Sequence, residues 1–110
     1  MQQGDIVIIN FPFTSFENSK VRPAIVISNS HFNNGKNILL LAVSTKEGLP
    51  LYSEKLESKD LKEGKLNKMS YIRFSNILSI EKRLILRKVA ELKEAKVKAI
   101  YGKLDLFLKP

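Results

Sequence analysis

Residues 22–28 (RPAIVIS) and 37–45 (NILLLAVST) are short, apolar and dense in β-branched side chains, and Asn33-Asn34-Gly35 stands between them. Such side chains suit a pleated strand, and an Asn-Gly step favours the left-handed backbone of a turn, so this stretch predicts an antiparallel hairpin with two buried strands. Pro23 lacks a ladder donor and is tolerated only at a strand's start or edge, which fits its place beside Arg22.

The rest of the chain repeats the theme. DIVII at 5–9 predicts a short, mostly buried first strand, stopped by Phe11-Pro12 and followed by a polar connection from Thr14 to Val21. From Lys46 to Lys68 apolar content falls and Gly48, Pro50 and Gly64 interrupt the chain, leaving one weak strand near 52–56 and otherwise loop. MSYIR at 69–73 and LILRKVAEL at 84–92 resume strand character, with Ser75 to Lys82 a connection that has room for a short strand. In the tail, Val97, Ile100, Tyr101, Leu104 and Leu108 recur at steps of three and four between polar residues, the pattern of an amphipathic helix. Gly102 costs that helix roughly 1 kcal/mol relative to alanine, and either allows close packing or ends the helix early. Five or six short strands and one terminal helix predict a mainly β fold, a small SH3-like barrel with the helix packed on it.

At 110 residues the chain has the length of a single domain spanning 1–110, so an active site must share residues with the fold or form between subunits. Nineteen Lys+Arg against eleven Asp+Glu give a net charge of +8, while 44% of residues are apolar. A folded basic domain results, and its field favours polyanions, of which nucleic acid is the commonest. Charge alone leaves a generic basic surface equally open.

Several chemistries are excluded. There is no cysteine, so disulfides and thiolate metal sites are impossible, and with His31 the only histidine a dedicated zinc or iron site lacks ligands. No metal and no cofactor is expected. Phosphate-loop, dinucleotide and zinc-protease signatures are missing. His31, next to a turn, reads as solvated. The amino-terminal MQQGDIVIINF is unlike a signal peptide, and no apolar run approaches the roughly 20 residues of a membrane span, so a cytoplasmic protein without a membrane partner is expected.

Arg22 and Ser44-Thr45 stand at the two strand ends remote from the predicted turn, which makes Arg22 and Thr45 neighbours across the ladder. A guanidinium fork suits phosphate, and a hydroxyl can bond one phosphoryl oxygen. A solvated arginine and threonine at strand ends would look the same.

The segment GDIVIINFPFTSFENSKVRPAIVIS at 4–28 resembles the amino-terminal signature of the MazF/PemK toxins, with Gly4-Asp5, a strand, Phe11-Pro12-Phe13-Thr14, a polar loop and Arg22-Pro23-Ala24. Val43-Ser44-Thr45 and Ser70-Tyr71-Ile72-Arg73 follow in the family's order, so the resemblance spans nearly the whole chain. It implies the toxin of a type II toxin–antitoxin pair, a homodimer that cleaves single-stranded RNA without metal and leaves a 2',3'-cyclic phosphate and a 5'-hydroxyl. It also implies a cognate antitoxin occupying the RNA groove.

By that resemblance Arg22 stabilises charge on the phosphorane and Thr45 orients the scissile phosphate. An arginine holds its proton too firmly for a simple base. Glu17, five residues before Arg22, is the candidate general base, or else a solvated loop carboxylate. Some relatives carry His-Glu where this chain has Phe16-Glu17, so no histidine base carries over, and Phe16 is available either to stack on an RNA base or to pack on the barrel. Ser19, Lys20, Ser44 and Arg73 complete the expected RNA contacts. The competing readings are a gyrase-binding toxin of the CcdB kind and a catalytically silent RNA-binding module.

Overall fold

The computed structural model describes residues 1–10 and 21–110. Among the described residues seven strands, β1 (Asp5–Asn10), β2 (Val21–Val26), β3 (Asn37–Ser44), β4 (Ser53–Leu56), β5 (Leu61–Gly64), β6 (Ser70–Glu81) and β7 (Ile85–Leu92), precede the helix Glu94–Leu108. They form one curled antiparallel sheet in the order β4-β6-β3-β2-β1-β7-β5. This is the mainly β architecture with a carboxy-terminal helix that the sequence predicts.

The central strands read as continuous apolar runs because both of their faces are buried. Ile6, Ile25, Leu41 and Val43 face a core completed by Ile72, Phe74, Leu92 and the helix residues Ile100 and Leu104. Val7, Ile9, Ala24, Val26, Ile38 and Leu40 alternate with them into a second core, with Ile80. β6 serves both cores through an irregularity. Leu41 pairs with Ile77 but Ala42 pairs with Arg73, so three extra residues, 74–76, stand in β6 at that step. An odd insertion reverses the two-residue alternation, turning Ile72 and Phe74 to the first core and Leu78 and Ile80 to the second.

Three expectations need correction. The β2–β3 hairpin forms, with Ala24 opposite Ala42 and Val26 opposite Leu40, but its connection holds one helical turn, α1 (Ser30–Asn33), and not a left-handed Asn-Gly turn. Asn29 caps that turn by accepting from the Phe32 amide at 2.8 Å, and the Asn33 side-chain amide donates to the Ser28 carbonyl, so local side-chain bonds outcompete the tight turn. Residues 75–81, expected as a connection with room for a short strand, continue β6 without a break. β5 was hidden in the lysine-rich loop: it needs only backbone pairing along β7, with Gly64 at φ +84° where a Cβ would strike the Val89 carbonyl.

The long helix, α2 (Glu94–Leu108), buries Ile100 and Leu104 and half-buries Val97 and Tyr101. Leu108 is exposed, and the last turn instead meets a 3₁₀ turn at Pro50–Tyr52 through an edge-to-face contact of Phe107 with Tyr52. Gly102 neither ends the helix nor permits close packing, since a Cβ there would touch nothing. α2 is also tied down by charge. Lys96 Nζ lies 2.7 Å from Glu54 Oε2 and 3.6 Å from Asp60 Oδ2, and Lys103 Nζ lies 3.0 Å from Glu54 Oε1. No helix among the described residues is long and apolar enough to cross a membrane.

Gly4-Asp5 is a structural joint. Gly4 has φ +90°, its carbonyl accepts from the Leu92 amide at 2.9 Å, and a Cβ on it would lie 2.7 Å from Val97 Cγ2. Buried Asp5 accepts from the Gln2 amide at 2.9 Å and lies 3.4 Å from Lys88 Nζ, which tethers the start of β1 to β7.

Candidate active site

Pairing of β2 with β3 stops at Ala24 and Ala42. Pro23, the next residue of β2, has no amide to donate, so the two strands lose their ladder where the sequence places Arg22 and Ser44. Continuing the register sets Arg22 opposite Ser44, one residue short of Thr45. An open cleft of ≈ 500 Å³ lies at this end, lined by Val21, Arg22, Pro23, Val43, Ser44 and Thr45 with Lys46, Lys68 and Ser70. Arg22 and Thr45 are both exposed and share this cleft, as the hairpin argument predicts.

The lining is chemically one-sided. Three cations, Arg22, Lys46 and Lys68, stand beside the hydroxyls of Ser44, Thr45 and Ser70, and no carboxylate of the described residues lines it. Such donors fit phosphoryl oxygens. They do not fit a divalent cation, and no cluster of three or more metal-ligating side chains occurs among the described residues.

Lys46 and Lys68 escape sequence reading. Lys46 is legible only as the neighbour of Thr45. Lys68 arrives because β6 pairs beside β3, with Ser44 opposite Tyr71, and no local pattern announces that pairing.

Ser44 and Arg73 are placed differently from Arg22. Ser44 Oγ accepts from the Lys46 amide at 3.1 Å, closing a tight turn directly after β3. Arg73, paired with Ala42 on the same face, aims its guanidinium at this turn, donating to the Lys46 carbonyl from Nη2 at 2.7 Å and from Nε at 3.1 Å, with a longer contact to Ser44 Oγ at 3.4 Å. The expected contacts Phe16, Ser19 and Lys20 and the candidate base Glu17 lie outside the described residues.

The model of the PemK-like, MazF-like toxins of type II toxin–antitoxin systems matches residues 2–108. This chain belongs to the MazF/PemK toxin family. Its fold is similar to that of a Mycobacterial endoribonuclease solved in complex with its cognate antitoxin, at TM-score 0.78 and 15% identity over 100% of this chain and 98% of that one. It is also similar to MazF from Deinococcus radiodurans, at TM-score 0.77 and 21% identity, covering 98% of this chain and 96% of the other. For the Mycobacterium tuberculosis toxin MazF-mt6 the values are 0.72 and 16%, over 93% of each chain. No curated protein matches the sequence significantly. At these identities the MazF likeness is one of fold, and the cleft chemistry has to be argued from this chain's own residues.

Proposed function

We propose that this MazF/PemK toxin is a metal-independent endoribonuclease that cuts single-stranded RNA at the open end of the β2–β3 hairpin. The observation that carries the reading is the cleft in which Arg22 and Thr45 stand with Lys46 and Lys68 and no described carboxylate.

A deprotonated 2'-oxygen attacks the adjacent phosphorus, the bond from phosphorus to the 5'-oxygen breaks, and the leaving oxygen takes up a proton. The products are a 2',3'-cyclic phosphate and a 5'-hydroxyl. Negative charge gathers on the equatorial oxygens of the phosphorane, and Arg22 presents its guanidinium where that charge develops. Thr45 donates its hydroxyl to a non-bridging oxygen and fixes the phosphate for in-line attack. Glu17 takes the 2'-proton, and Arg22 is the candidate to return a proton to the leaving oxygen. Phe16, Ser19 and Lys20 contact RNA from the segment before β2. A cognate antitoxin neutralises the toxin by covering this basic surface, and the active form is a homodimer working in the cytoplasm, where its messenger RNA substrate is found.

The test is incubation of the purified protein with a long single-stranded RNA in EDTA, with Arg22→Ala in parallel and end-group analysis of the products. Cleavage by the wild type alone, with cyclic phosphate and 5'-hydroxyl ends, is the expected result. Binding without cleavage would reduce the protein to an RNA-binding module, and toxicity that survives Arg22→Ala would point to a protein target.

A further inference from the structure

Resting on that reading, we infer that Arg73 is a positioning residue for Thr45 and not an RNA contact. Thr45 lies in the bend that directly follows β3, beyond the last paired residue Ser44, so the sheet ladder does not hold its backbone. The guanidinium of Arg73 reaches across from β6, 27 residues away in sequence, and grips the carbonyl of the next residue, Lys46, with two donors.

Gly48 completes the clamp from the other side. Its φ is +74°, and a Cβ would lie 2.9 Å from Cζ and Nε of Arg73 and 3.0 Å from Nη1. The guanidinium thus occupies the space that any other residue's side chain would need. Ser44 Oγ closes the third contact, accepting from the Lys46 amide inside the turn and facing Arg73 Nη2. Arg73 commits Nε and Nη2 to the Lys46 carbonyl and the Ser44 hydroxyl, an arrangement that fixes one loop geometry, while Arg22, Lys46 and Lys68 are the described cations that line the cleft. A lysine at 73 would keep the charge but not the planar fork, because an ammonium is a point donor on a flexible stem.

Two variants and two measurements test this. Arg73→Lys retains charge and loses the fork. Gly48→Ala retains every charge and pushes the guanidinium off the turn. Each is assayed for single-turnover cleavage of RNA, for affinity toward the same strand blocked by 2'-O-methyl groups, and for backbone order parameters of Thr45 to Gly48 by nitrogen-15 relaxation. Both variants are expected to lose roughly 100-fold in cleavage rate, the scale of a 1 Å misplacement of a reacting group. Affinity should stay within about threefold, since both variants keep the positive charge that governs phosphate binding. Order parameters in the turn should fall from about 0.85 toward 0.6.

The inference is overturned if Arg73→Lys cleaves at the wild-type rate, or if Gly48→Ala weakens binding while the turn stays rigid. Failure of the wild type to cleave any RNA would instead sink the ribonuclease reading. In that case the order parameters still decide whether the clamp exists, and a turn that stays rigid in both variants refutes it.

Discussion

Replacing Lys68 with glutamine probes the electrostatics of the cleft without touching the proposed reacting groups. Each cation that neutralises a phosphate of a single strand contributes about 0.7 to the slope of log affinity against log salt, through release of bound counterions. Arg22, Lys46 and Lys68 line the cleft, so its share of the slope is about −2.1, and raising salt fourfold, from about 50 to 200 mM, weakens binding about 18-fold through these three groups. Removing Lys68 leaves about −1.4, a loss of about sevenfold over the same range, so the variant binds more weakly in dilute salt and the two curves converge as salt rises. Fluorescence anisotropy with a 2'-O-methyl RNA measures both slopes without cleavage. Lys98, exposed on α2 and paired with Glu94, lies outside the cleft and makes the control for general charge. The reasoning fails if Lys68→Gln keeps the wild-type slope, or if Lys98→Gln lowers it as much.

Gly4→Ala forces a side chain into a left-handed conformation and against Val97, and should cost about 2–4 kcal/mol of stability, read by urea unfolding. Gly102→Ala, on the exposed face of α2 with open space around its Cβ, should stabilise by about 0.5–1 kcal/mol and raise the thermal midpoint. Burial pushes the Glu54 carboxyl upward, but hydrogen bonds and charge from Lys96 and Lys103 outweigh it and hold the group below the ordinary carboxylate value. Its stabilising effect is therefore complete above that ordinary value and is lost as pH falls through the lowered one. Stability curves of wild type and Glu54→Gln should accordingly draw together in acid, and parallel curves from neutral pH down to the acid limb would contradict this assignment.

The strands legible in the sequence are those whose burial is written locally. β1, β2 and β3 are apolar on both faces, β7 is nearly so at its end, and the α2 stripe of Val97, Ile100, Tyr101 and Leu104 follows the helical repeat. β5, and the full length of β6 beyond the short strand the sequence allows there, are not legible, because their partners, not their own side chains, make them strands. Leu61–Gly64 carries mostly exposed residues on an edge, and Ser75-Asn76 reads as a connection although it is a bulge in a continuous ladder. The Asn-Gly signal failed for a different reason. Asn29 and Asn33 found better partners in a single helical turn than in a left-handed one.

The sequence by itself determined the mainly β class, the antiparallel pairing of β2 with β3, the adjacency of Arg22 and Thr45, and the basic charge, because each depends on side chains close along the chain or across one hairpin. Tertiary structure alone decided which cations join them. Lys68 enters the cleft, and Arg73 reaches the Lys46 carbonyl, because β6 pairs with β3 so that Tyr71 meets Ser44 and Arg73 meets Ala42. The two strands are about 30 residues apart in sequence and either register would keep a two-residue repeat, so the partners of these side chains are fixed only when the strands meet.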